Sequence, residues 1–387
     1  MKKVLVRGPV LTHSGYGSHA RMIARYLLSR SDVDVTFEVL PWGDTPWVLN
    51  RNAWDGLAGQ IMDRSGFEKG DHFDLSLQIQ LPNEWDNSYA KVNIGVTAGV
   101  ETDICNPEWV LHCNKMDKVI VPSQHTKSNL MSVGGVTTPI IVVPESFPDE
   151  LLSKEPKSID LGLETTFNFL LFGQITGNNT YNDRKNIFFT LKWMCEAFKT
   201  DKDVGIVIKT NIGRLTKIDK KLCENLINQV LTEVRGTSQY PRVYLLHGDM
   251  KDDDLHALYT HPQIKAMVSL THGEGFGLPL LEAAACGMPV IATGWSGHTD
   301  FLNHGKYINV EYDLKEIHES RVDGKIFVHG AKWAYPDEDN FKRKIKKFKE
   351  SSSTPKQWAV DLQTKIVEKY SFQSVSKVYD DVLGAYF

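Results

Sequence analysis

Residues 271–289 read Thr271-His-Gly-Glu-Gly-Phe-Gly-Leu-Pro-Leu-Leu-Glu-Ala-Ala-Ala-Cys-Gly-Met-Pro289. The run before them, 266–270, is short and apolar, as a buried strand is. Residues 278–285 have helical character, and Pro279 can open such a helix because the N–H it lacks would be unpaired in the first turn. The stretch is therefore strand, glycine-rich loop and helix, the repeating unit of a parallel α/β fold. Gly275 and Gly277 allow close approach of backbone to a ligand, and the helix N-terminus that follows attracts anions. Glu274 lies in the loop and Glu282 about one turn into the helix, and carboxylates accept hydrogen bonds from sugar and ribose hydroxyls. The same spacing also fits a plain strand–helix turn with Glu274 solvated and Glu282 on a helix face.

Outward from this stretch the alternation continues in both directions. Strand-type runs at 3–8, 35–40, 73–79, 92–97, 119–122 and 140–143 have helical segments between them at 18–30, 107–114 and 124–133. A second series then begins, with strands at 167–172, 204–208, 243–246, 266–270, 290–292 and 308–310. Helices are expected at 185–198, 220–234, 253–259 and 279–285, and helix-rich sequence runs from 337 to 386. Two such series predict two Rossmann-like domains. The domains are placed at 1–150 and 151–370, with a proline- and charge-bearing linker candidate at 144–158. Ligands of open parallel sheets bind beyond the carboxyl ends of the strands, where most of the candidate residues fall.

The totals limit the function. A chain of 387 residues with 41% hydrophobic and 24% charged content suits two soluble domains. No apolar run approaches the ~18 residues of a membrane span. The opening Met1-Lys-Lys-Val-Leu-Val-Arg-Gly-Pro reads as a first strand rather than a signal peptide. Cys105, Cys113, Cys195, Cys223 and Cys286 are scattered, as in a reduced, cytoplasmic protein. Residues 1–150 hold 13 Lys+Arg against 18 Asp+Glu, and the remainder hold 31 against 30. The absence of a basic excess argues against nucleic acid or anionic membranes as main partners.

Glu274 and Glu282, with Gly-Phe-Gly-Leu-Pro between them and Ala-Ala-Ala-Cys-Gly-Met-Pro-Val-Ile-Ala after, resemble the E-x7-E motif of retaining family-4 (group 1) glycosyltransferases. Val119-Ile-Val-Pro-Ser-Gln, Gly173, Asp183-Arg-Lys-Asn, His247-Gly248 and Trp333-Ala-Tyr-Pro-Asp fall in the order that family shows. The resemblance implies an α/β GT-B fold, two Rossmann-like domains facing each other across a cleft, with the end of the chain, 371–387, crossing back to the first. It implies that Glu274 holds donor-sugar hydroxyls, that backbone amides of Gly275, Phe276, Gly277 and Leu278 contact sugar and phosphates, and that Glu282 binds the donor ribose. Arg184 and Lys185 match the pair that faces the donor diphosphate, whose leaving group gains charge and needs a cation. Many relatives carry Arg directly after the strand-end glycine, where this chain has Gln174. Lys209 and Arg214 also follow a strand end and are the weaker alternative.

In the first domain, Gly15 and Gly17 follow a strand, with Ser18 as the expected N-cap. The resemblance sets this loop toward the donor phosphates. The full dinucleotide fingerprint is not met, since Ala20 holds its last position. Glu101, where many relatives have His, is the candidate for an acceptor hydroxyl or the donor sugar, or else a structural partner of a backbone amide. Catalytic roles are thus expected of Glu274, Glu101 and Lys185. His272 is expected either to donate to sugar or phosphate or to pack against its turn. Trp42, Trp47 and Trp85 are candidates for a sugar platform or for core. Phe341, Ile345 and Phe348 share one helix face opposite cations, either against the domain or on a membrane surface. Asp32 and Asp34 look like a metal motif of another glycosyltransferase fold but lie where charges are solvated, and the aspartates from 252 look like a helix start.

The family pattern implies retaining transfer from a nucleotide-diphosphate sugar to a hydroxyl, by front-side attack with the donor phosphate as base, without cofactor or metal. The acceptor class stays open among a glycan, a lipid-linked sugar, a small metabolite and a modified nucleobase. A sugar-nucleotide epimerase or hydrolase, a non-catalytic sugar-nucleotide binder and a dinucleotide oxidoreductase are the rival readings.

Overall fold

The computed structural model describes residues 1–67, 71–153, 155–175 and 179–387. Lys154, within the expected linker, and 176–178, within the loop before Arg184, lie outside the described residues. The chain divides into two compact units. Unit 1 comprises Met1–Ser146, Gly324–Val328 and Phe372–Phe387, and unit 2 comprises Phe147–Asp323 and His329–Ser371.

Unit 1 runs β1 (Lys2–Gly8), α1 (Gly15–Leu28), β2 (Val33–Val39), α2 (Leu57–Asp63), β3 (Phe73–Ile79), β4 (Ala90–Val96), α3 (Trp109–Cys113), β5 (Lys118–Val121), α4 (Gln124–Ser132) and β6 (Ile140–Val142). Its six strands are ordered β2-β1-β3-β4-β5-β6 and pair in parallel. Val4, Leu5 and Val6 are all fully buried, the continuous apolar run of a strand covered on both faces. The order reverses at β1, so the loop carrying Gly15 and Gly17 leaves the sheet at a switch point.

Unit 2 begins with α5 (Glu150–Ser153), β7 (Phe167–Phe172), α6 (Ile187–Ala197), β8 (Val204–Thr210), α7 (Lys217–Arg235), β9 (Arg242–His247) and α8 (Asp252–Tyr259). It continues with β10 (Ile264–Ser269), α9 (Leu278–Ala285), β11 (Val290–Thr293), α10 (Thr299–Leu302), β12 (Ile308–Val310), β13 (Tyr312–Glu316), β14 (Lys332–Pro336), α11 (Glu338–Glu350) and α12 (Ser353–Tyr370). Its main sheet is ordered β12-β11-β10-β7-β8-β9, all parallel. The switch point lies between β7 and β10, and the loops after these two strands carry Gly173 and Glu274. The last helix, α13 (Phe372–Leu383), belongs to unit 1, where Val375, Tyr379 and Leu383 enter the core.

One local reading of the sequence needs correction, one element was not expected, and one pair of alternatives is decided. Helix α1 starts at Gly15, not Ser18: Ser14 caps it, accepting the Gly17 N–H at 2.9 Å. The antiparallel pair β13–β14 was not expected from the sequence, because each strand is short and β13 is mostly exposed. In α11 the apolar face is spent on the core. Phe341, Ile345 and Phe348 are buried, with Phe348 against Phe167 and Phe169 and Phe341 against Trp193, which removes the membrane-surface alternative for that face. No helix among the described residues is long and apolar enough to cross a membrane, and all five cysteines are free.

Candidate functional site

The loop after β10 is built around a buried carboxylate. Gly277 caps α9 in the left-handed region, at φ 100°, which a side-chain-bearing residue adopts only with strain. Leu280 and Leu281 are the first to donate back, both to the Gly277 carbonyl, so the amides of 276–278 precede the helical ladder. Phe276 turns inward onto Phe301 and Tyr370, which leaves its backbone, not its ring, for a ligand.

Glu274 receives two cations from the turn before α6. Lys185 Nζ donates to Oε1 at 2.7 Å and Oε2 at 2.8 Å. Arg184 Nη1 donates to the Gly273 carbonyl at 2.7 Å and to Glu274 Oε2 at 3.2 Å. Asp183 makes this geometry by accepting the Ile187 N–H at 2.8 Å, while Asn186 takes the left-handed φ of 54° and donates to the Leu270 carbonyl. Gly173 packs along the lysine stem, where a Cβ would meet Lys185 Cγ and Cδ at 3.4 Å, an ordinary van der Waals contact. Burial would raise the Glu274 pKa, but Lys185 and then Arg184 outweigh it and hold the carboxyl at about 2. The carboxylate is therefore ionised and acts as an acceptor.

His272 is fixed by β14. Its ring stacks on Trp333 at 4.6 Å, and Nδ1 lies 2.6 Å from the Ala334 carbonyl. A carbonyl can only accept, so Nδ1 carries the proton. Burial lowers the imidazole to about 4. With Nδ1–H committed to Ala334, the neutral ring leaves Nε2 as an acceptor.

Glu282 is held by Tyr259, whose phenol donates to Oε2 at 2.9 Å. Tyr259 stacks on Phe172, and Lys209 Nζ lies 5.6 Å from the Phe172 ring centre. Lys209 is buried and donates to the Gly248 carbonyl, whereas Arg214 is exposed. Burial lowers the Lys209 pKa.

The unit 1 candidates converge on Tyr16, which sequence reasoning did not single out. Tyr16 lies between Gly15 and Gly17 and stacks on Trp42 at 3.8 Å. Its hydroxyl bonds Thr97 Oγ1 at 2.9 Å and accepts the Ala98 N–H at 3.0 Å. Burial pushes this phenol up, and the charges of Glu101 and Glu145 add to that, which places Glu101 in its neighbourhood. Gly17 is explained by packing, since a Cβ there would lie 2.3 Å from the Thr12 carbonyl oxygen, while nothing crowds Gly15. Trp85 is core: its indole donates to the Gln78 carbonyl at 3.0 Å and covers Gly95. Trp47 stays 44% exposed. Asp32 pairs with Arg30 on the surface, and Asp252 opens α8.

Sequence reasoning also missed Gly294-Trp-Ser-Gly-His298, the loop after β11. Ser296 Oγ accepts the Glu274 N–H at 2.8 Å, and the Gly297 N–H donates to the Glu274 carbonyl at 2.9 Å. His298 Nε2 lies 2.7 Å from the Thr293 carbonyl. The available signal was a second glycine-bearing loop at a strand end.

Residues 240–321 match the family model of the glycosyl transferases group 1. A probable sucrose-phosphate synthase of Thermosipho melanesiensis is 28% identical over 165 residues, which is 43% of this chain and 35% of the synthase. The match thus spans about a third of that relative's length. Among solved structures, Anabaena HepE in complex with UDP-glucose aligns over 100% of both chains at 15% identity and a TM-score of 0.63. A glycosyltransferase from Rickettsia africae aligns over 100% of this chain and 98% of its own at 12% identity and a TM-score of 0.67. At these identities the structural likeness is one of fold. Together with the family match across the Glu274–Glu282 loop, it gives a GT-B-like fold in which residues 240–321 resemble the glycosyl transferases group 1.

Proposed function

We propose that the chain transfers a sugar, with retention, from a nucleotide-diphosphate donor to an acceptor hydroxyl. The observation that carries this reading is the buried Glu274 carboxylate with Lys185 and Arg184 at the β7–β10 switch point of unit 2. Such a set offers an anionic acceptor for sugar hydroxyls and two cations for a diphosphate. Arg184 and Lys185 supply the counter-charge as the leaving diphosphate gains charge, which leaves no step that requires a metal. His272 accepts a further hydroxyl. Glu282 and Tyr259 bind the donor ribose, and amides of Gly275–Leu278 approach the phosphates. Attack from the front face, with the donor phosphate as base, needs no carboxylate nucleophile. In unit 1, Gly15 and Glu101 are assigned to the donor phosphates and the acceptor hydroxyl, with Tyr16 between them. The domain division at 150 and 370 and a cytoplasmic location belong to the same reading.

HepE was solved with UDP-glucose, so UDP-sugars head the donors to test. A thermal-shift screen of UDP-, GDP-, ADP- and dTDP-sugars should raise Tm with one base class, because a ligand that binds only the folded state stabilises it by mass action. No shift with any of them would remove the donor-site reading. Rapid turnover of the donor without an acceptor would favour a hydrolase or epimerase.

Tyr259→Phe removes the hydrogen bond to Glu282 and should weaken donor binding by about 1.5 kcal/mol, roughly tenfold, with little change in kcat. Isothermal titration with the identified donor measures this, and unchanged affinity would detach Glu282 from the ribose.

A further inference from the structure

The carboxylate and the cations proposed to serve the donor already serve each other. Lys185 spans both oxygens of Glu274, Arg184 reaches one of them, and the Glu274 side chain is 7% exposed. The backbone beneath it is pinned through Ser296 and Gly297, so the loop that carries the carboxylate is held in place if its partners move. An ammonium that turns to a phosphate oxygen gives up at least part of its contact with Glu274. A buried carboxylate deprived of its cations is costly unless other donors replace them.

We infer that Glu274 is an internal competitor of the diphosphate and sets the preference of the site for an intact sugar donor over a bare diphosphate. This rests on the donor-site reading above. When a nucleotide sugar enters, its hydroxyls donate to Glu274 in place of the cations, which are released to the phosphates. A bare diphosphate draws on the same cations and returns no hydroxyl to the carboxylate. After transfer, re-formation of the Lys185–Glu274 and Arg184–Glu274 pairs favours release of the nucleoside diphosphate. One residue thus couples sugar recognition to phosphate affinity.

The test is calorimetric titration of the full chain with inorganic pyrophosphate, which needs no knowledge of the base, and with UDP and UDP-glucose. Glu274→Gln keeps the shape and removes the charge. It should bind pyrophosphate and UDP about tenfold more tightly than the wild type, with a smaller gain for UDP-glucose. Lys185→Met should weaken all three. Unchanged or weaker pyrophosphate binding by Glu274→Gln, with Lys185→Met still weakened, would overturn the competition while leaving the donor site in place. If Lys185→Met binds every ligand as the wild type does, the donor-site reading itself fails. Should Glu274→Gln not fold, a crystal structure of the wild type with pyrophosphate decides. Lys185 is expected to leave at least one carboxylate oxygen, and retention of both contacts would refute the inference.

Discussion

Lys185→Met is expected to lower stability by about 3 kcal/mol and transfer by roughly 10²–10³-fold. The two losses have one origin. Lys185 contacts both oxygens of a carboxylate whose side chain is 7% exposed, and is itself only 14% exposed, so solvent screens the pair little. Without the ammonium, Glu274 keeps a single, longer bond to Arg184 at 3.2 Å. That residual partner sets the expected loss at the lower end of the range for a broken buried pair. Removing both charges leaves no orphan, so Lys185→Met/Glu274→Gln should recover most of the stability while remaining inactive. Urea denaturation of the two single variants and the double variant measures the coupling, expected at about 2–3 kcal/mol. Additive stabilities would mean that the pair is not the source.

The same pair predicts an acid response. The Glu274 carboxyl is lowered from 4.5 to about 2 in the folded protein. A depressed carboxyl contributes stability that is complete above the unfolded value and is lost as pH falls through the folded one. The contribution is therefore full at neutral pH, declines below about 4.5 and is gone near 2. Wild-type Tm should fall more steeply across that window than Tm of Glu274→Gln, and parallel curves would contradict the assignment.

The sheets were legible because their strands are buried on both faces and appear as largely apolar runs, as at 169–172 and 204–208. The Glu274 loop was legible because strand, glycines, acid and helix are contiguous. The residues that hold it were not. Ser296 and Gly297 come from the next strand's loop and Trp333 from a later hairpin, contacts that only tertiary structure creates. The start of α1 was placed late because Gly15 and Gly17 are poor helix formers. Local preference lost to the Ser14 cap and to packing on Thr12. The burial of Lys209 was not legible, because no spacing shows that this β8 residue meets Phe172 and Gly248.

The second large effect is expected at one of these unread positions. Gly297→Ala should cost about 2–3 kcal/mol and at least tenfold in donor affinity. A Cβ at 297 would lie 2.1 Å from the Gly275 carbonyl oxygen, 2.5 Å from its carbon and 2.8 Å from the Glu274 oxygen. All three are backbone atoms, so no side chain can swing aside, and relief must come from displacing the loop that holds the carboxylate. The Gly297 N–H bond to Glu274 would be strained by the same shift. Gly15→Ala is the contrasting case. Gly15 opens α1 and a Cβ there meets nothing within 4 Å, so alanine should be neutral or stabilising by up to about 1 kcal/mol. A loss of donor affinity in Gly15→Ala without loss of stability would mark a glycine kept for ligand approach. Loss of both in Gly297→Ala would mark one kept for packing beneath the site. Denaturation and donor titration of the two variants separate these cases, and a stable, fully binding Gly297→Ala would mean that the loop after β11 does not set the position of Glu274.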